Sequence, residues 1–118
     1  MRRRLLAIAV VVSAMSDQAA YAAARADAKA QVEFGRAVAQ KGLWREAIYR
    51  WKRAIEIDPT YAAAYNNLAV AYEQTGLLDE AKQAYQRAVA LDPKNDQIRH
   101  NYESFQEIHD RAGRSDVQ

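Results

Sequence analysis

Few side chains in this 118-residue chain could do chemistry. His100 and His109 stand nine residues apart, so on a helix they fall on different turns and lack metal-ligand spacing. Their polar neighbours read as the surface of a helix. Cysteine is absent, which excludes disulfide frameworks, thiolate zinc sites and cysteine nucleophiles. The glycines at 35, 42, 76 and 113 are scattered and build no phosphate loop. No serine has the context of a nucleophile elbow. Glu46 and Glu80 read as charges that open helices, not as an acid/base pair. Arg45, Arg50, Lys52 and Arg53 are interleaved with Tyr49 and Trp51, a pattern that single-stranded nucleic acid could use. The preferred reading puts Trp51 in the core and leaves the cations solvated. The expectation is a non-enzymatic protein with no catalytic residue, no cofactor, no metal and no nucleic-acid partner.

The elements that would position any site are helical. Alanine supplies 25 residues, while Gly and Pro together supply six. That balance favours helices that approach closely and argues against a sandwich or barrel rich in turns. The formal charge of +2 hints at an anionic partner until its location is considered. Arg2, Arg3 and Arg4 precede an apolar run, and Ala14-Met15-Ser16 fits a small-x-small cleavage site. Residues 1–16 therefore read as a secretory signal peptide, with cleavage near Ala20 or Ala22 as another placement. The run Leu5–Met15 makes about 16 Å of helix against a bilayer core of about 30 Å, so a stable span is not expected. An uncleaved anchor through residues 5–15 and a buried helix start are the alternatives. Cleavage after Ser16 leaves 14 basic and 15 acidic residues, so the basic surplus belongs to the leader.

The chain also repeats itself. Laying Ala28–Tyr61 over Ala62–Asn95 matches twelve of 34 positions with no insertion, including Gly42/Gly76, Ala47/Ala81, Ala54/Ala88 and Pro59/Pro93. Phe34/Leu68, Trp51/Tyr85 and Ile57/Leu91 are similar pairs. Each unit reads as two helices. A glycine in the left-handed conformation ends the first, and Asp-Pro ends the second. Asn95–Arg111 keeps helical spacing through Arg99, Tyr102 and Phe105 and reads as a capping helix with a polar outer face. Residues 17–27 read as an Ala-rich helical segment that either extends the first repeat helix or caps it separately. Residues 112–118 are expected to be a disordered tail, because Ala112-Gly113-Arg114-Ser115 breaks the pattern.

These residues resemble the tetratricopeptide repeat, whose pattern is Trp-x2-Leu-Gly-x2-Tyr, then Ala-x3-Phe, then Ala and Pro. The second unit matches as Tyr65-x2-Leu68-Ala69-x2-Tyr72, Ala81-x3-Tyr85, Ala88 and Pro93. The first reads Gln31-x2-Phe34-Gly35-x2-Val38, Ala47-x3-Trp51, Ala54 and Pro59, with Gln31 departing from the aromatic. The resemblance implies an all-α solenoid of two repeats, residues 28–61 and 62–95, closed by a capping helix at 96–111. It also implies a concave groove, lined by the first helix of each repeat, that binds a peptide or protein segment. Its register names Lys29, Val32, Arg36, Asn66, Asn67, Val70, Glu73, Gln97 and Asn101 as groove candidates, with Ala63 and His100 beside them.

Repeats that capture the C-terminal carboxylate of heat-shock chaperones use Lys, Asn, Asn, Lys and Arg. The matching positions here are Val32, Arg36, Asn67, Gln97 and Asn101, and only Asn67 agrees, so that activity is disfavoured. The expected role is an adaptor or scaffold in an exported, periplasmic or envelope complex. The alternative is a structural subunit of a homo-oligomer or larger assembly formed by repeat stacking.

Overall fold

The computed structural model describes residues 2–115, with side chains from 14 onward except those of 110, 114 and 115. Met1 of the expected leader and residues 116–118 of the expected tail lie outside the described residues, as do the leader's side chains up to 13. Among the described residues the secondary structure is entirely helical: α1 (Arg2–Gln40), α2 (Trp44–Ile57), α3 (Ala62–Gln74), α4 (Leu78–Leu91) and α5 (Asp96–Ser115). α1 pairs with α2, α3 with α4, α3 also packs on α2, and α5 lies against α4. The result is an α-solenoid of two helix pairs and a final helix.

α1 is a single helix of 39 residues, about 58 Å long, because neither Gly nor Pro interrupts the chain before Gly35 and alanine dominates residues 19–30. The Ala-rich segment 17–27 is thus an extension of the first repeat helix. Its end is tied to the repeat body by Arg25, which donates to Asp58 at 2.5 Å and to Thr60 at 3.1 Å and stacks over Tyr61. Each helix pair turns on a glycine with positive φ, 75° at Gly42 and 78° at Gly76. At both turns the amides of the glycine and of the residue after it reach back to helix carbonyls. Leu43 and Gly42 donate to Val38 and Ala39, while Leu77 and Gly76 donate to Tyr72 and Glu73. Paired 6→1 and 5→2 bonds of this kind satisfy carbonyls that a helix end leaves orphaned, and only glycine takes that φ without strain.

Small residues set the spacing of the helices. Ala28, Ala47, Ala54, Ala64, Ala71, Ala81 and Ala88 are fully buried and let α1/α2 and α3/α4 approach closely. The first core joins Trp51 to Val32 of α1 and to Leu68 of α3. The second joins Tyr85 to Ala69, Ala81 and Phe105, and a third holds Ala62, Ala88 and Ile98. Because Leu68 belongs to the first core and Phe105 to the second, each core is sealed by the first helix of the next unit. α5 fills that place after the second repeat, with Asn95 accepting from the Ile98 amide to cap its start.

α5 corrects one expectation. The helix runs on to Ser115, so residues 112–115 are not a disordered tail. A lone Gly113 costs a helix only about 1 kcal/mol, no proline follows Pro93, and the Arg111–Glu107 pair spans the preceding turn.

Candidate functional site

The first helices of the stack share one face. On it, α1, α3 and the start of α5 enclose a recess of about 280 Å³. Val32, Glu33 and Arg36 come from α1, Tyr61 from just before α3, Ala63, Asn66 and Asn67 from α3, Asn95 from just before α5, and Gln97 and Ile98 from α5. A second recess of about 180 Å³ adjoins it, lined by Ala39, Trp44, Trp51 and Val70. Arg36 and Asn67 line both. One recess is mostly polar, with four amide side chains, and the other mostly apolar.

The register-derived candidates divide into four groups. Arg36, Asn66, Asn67, Val70, Gln97 and Ala63 come together in the two recesses. Val32 lies on the wall but belongs to the core, since only 2% of its surface is exposed and its carbonyl accepts the Trp51 indole N–H at 3.1 Å. Val32 therefore serves packing, because it lies beneath the ring that ties α1 to α2. Glu73 and Asn101 are engaged elsewhere. Glu73 accepts from the Tyr85 hydroxyl at 2.9 Å, and burial together with that carboxylate pushes the Tyr85 phenol above its ordinary range. Asn101 donates to Asn66 Oδ1 at 3.2 Å. Lys29 and His100 are exposed and line neither recess.

The register missed Trp44, Tyr61 and Asn95. Trp44 had a signal: it opens α2 as a large apolar residue matched only by Leu78 in the second repeat, at a position outside the repeat pattern.

Chemistry elsewhere is sparse. Trp51 is buried, so its ring offers no stacking face to a base, while Arg50 pairs with Glu46 and Arg53 with Glu56. His109 is not a free surface residue, because its ring packs on Phe105 with centroids 4.4 Å apart. Its Nε2 has no hydrogen-bond partner among the described residues. Among the described residues no three His, Asp or Glu side chains converge as a metal site requires, and no helix is long and apolar enough to cross a membrane.

Asp58 is the most constrained charge. Burial alone would raise its pKa, but hydrogen bonds from Thr60 and Arg25 outweigh it and hold the carboxyl below its ordinary value. It receives both the Thr60 amide and hydroxyl, which fixes the turn between α2 and α3.

Family comparison agrees with this geometry. A TPR-repeat model matches residues 35–76 and a tetratricopeptide-repeat model matches residues 62–95, together just over half the chain. Residues 35–95 carry tetratricopeptide repeats. No curated protein matches it. Among solved structures, the Arabidopsis OM64 TPR domain superposes with a TM-score of 0.68 at 23% identity, over 75% of this chain and 73% of that one. The second TPR domain of human RPAP3, solved in complex with the HSP70 peptide SGPTIEEVD, gives a TM-score of 0.63 at 25% identity over 68% of this chain and 67% of its own. Tetratricopeptide repeats are interaction modules, and this chain carries that architecture.

Proposed function

We propose that this chain is an exported adaptor that binds an extended segment of a partner protein in the paired recesses on the α1/α3/α5 face. The observation that carries the reading is the meeting of Arg36 and Asn67 at a wall shared by an amide-lined and an apolar recess. That pairing suits an extended chain, whose backbone needs polar partners and whose alternate side chains need a pocket. The RPAP3 domain, of the same fold, holds a peptide. Export is supported by Arg2–Arg4, the apolar run and Ala14-Met15-Ser16, and Arg25 keeps its anchor on Asp58 if cleavage follows Ser16.

Replacing Arg36 with Glu and Asn67 with Ala in one variant tests the groove. Both side chains lie outside the core, so folding is retained and partner capture from envelope extract is lost. Capture at the wild-type level contradicts the reading. N-terminal mass analysis of the protein recovered from the envelope tests export, with Asp17 as the expected first residue.

A second reading, assembly of copies by repeat stacking, rests on Phe34. This residue is 47% exposed where its counterpart Leu68 is 6% exposed, and Tyr49 beside it is exposed as well. Light scattering that gives a monomer at every concentration removes this reading.

A further inference from the structure

The mode of recognition can be taken further on the basis of the groove reading. Asn66 is only 9% exposed, and its Oδ1 is occupied by the Asn101 amide. That bond leaves the NH2 group as the remaining hydrogen-bonding end of a side chain that lines the recess. An amide donor on a recess wall suits a carbonyl or carboxylate oxygen. Asn101 is thus a positioning residue: it fixes which end of the Asn66 amide faces the ligand.

Charge narrows the ligand. Among the described residues, Arg36 is the only cation lining either recess and Glu33 the only anion. Their 3.3 Å pair is more than half exposed on both sides, so it is weak and open to exchange for a ligand carboxylate. Arg36 and Asn67 also wall the apolar recess, where Trp44 and Val70 leave room for one aliphatic side chain. An acid bound at Arg36 and an aliphatic group bound at Val70 must therefore be near neighbours on one strand. A terminal carboxylate gathers several cations when it is the anchor, and here Val32 is core and Asn101 is committed to Asn66.

We infer that the groove selects an internal extended segment carrying an acidic residue within a few positions of an aliphatic one. It holds that segment through backbone carbonyls at Asn66 and Asn67 and does not read the chain end.

A pool of N-acetylated, C-amidated random decapeptides, selected on the immobilised full chain and sequenced, tests this. The expected enrichment is an aliphatic residue close to Asp or Glu. Arg36→Gln lowers the acidic preference about tenfold and leaves the aliphatic one, while Val70→Ser does the reverse. Glu33→Gln strengthens the acidic preference about twofold, because it removes the competing carboxylate. Asn101→Leu weakens all sequences alike and keeps the pattern, as a positioning role requires. Arg36, Glu33 and Asn101 lie outside the core, and matched melting curves establish that each variant is folded.

An acidic preference that is absent, or unchanged in Arg36→Gln, overturns the inference. So does stronger enrichment when the pool carries free C-termini. In each of those cases, loss of binding when Arg36→Glu and Asn67→Ala are combined leaves the groove itself standing. No enrichment above bare matrix overturns the groove reading and this inference with it.

Discussion

The two repeats solve one packing problem with different residues. In the first, Gly35 faces Trp51, and a Cβ added at Gly35 would fall 2.4 Å from the indole Nε1. In the second, the same positions hold Ala69 and Tyr85, both buried in one core. The larger ring requires the smaller partner. The rings are also tied differently: Trp51 donates to the Val32 backbone of α1, whereas Tyr85 donates to the Glu73 side chain of α3. The outer ends differ as well. Leu68 is covered by the first repeat, but its counterpart Phe34 is left half-exposed and is met by the Arg50 guanidinium at 4.1 Å. Position in the array, as much as residue type, therefore sets what a side chain contributes.

The comparison can be broken by mutation, and the largest effect belongs to the rings. Trp51→Ala is expected to cost about 3–5 kcal/mol, because it empties a core shared by α1, α2 and α3. An unchanged urea midpoint contradicts that placement. Leu68→Ala follows at about 2–5 kcal/mol, while Phe34→Ala costs well under half as much, since its ring is already partly in water. Equal losses would show that Phe34 is covered in solution.

Gly35→Ala comes next, at about 1–3 kcal/mol of overpacking. Pairing it with Trp51→Tyr, which imports the second repeat's solution, should recover part of that loss. A strictly additive double mutant contradicts the size-matching argument.

The smallest effect is a pH dependence at the joint between the repeats. Asp58 has a lowered native pKa, so its contribution is present above the ordinary carboxylate value of 3.8 and is lost as pH falls through the native one. Asp58→Asn should flatten the acid limb of the stability curve and leave the neutral-pH difference nearly constant. An acid limb unchanged by the substitution contradicts the assignment.

Much of the architecture was legible in the sequence, because a shift of 34 residues aligns the glycine turns, the Ala contacts and the ring positions. The C-terminal end of α5 was not, since Gly113 reads as a stop only where helix-extending neighbours are ignored. The groove was legible only in part. Register places side chains on a face, but it does not show which are already spent. Val32 lies beneath Trp51, Glu73 on Tyr85 and Asn101 on Asn66, each through a contact with another helix. Trp44 escaped the reading for the converse reason: it lies outside the repeat pattern yet faces the recess.

The central claim is that the α1/α3/α5 face binds an extended segment. Backbone amide NMR shifts of the full chain, titrated with the blocked random decapeptide pool, test it most directly. The account predicts changes confined to residues 32–40, 63–70 and 97–101, abolished when Arg36→Glu and Asn67→Ala are combined. Changes centred on α2 and α4 instead, or on Phe34 and Tyr49 alone, would contradict it.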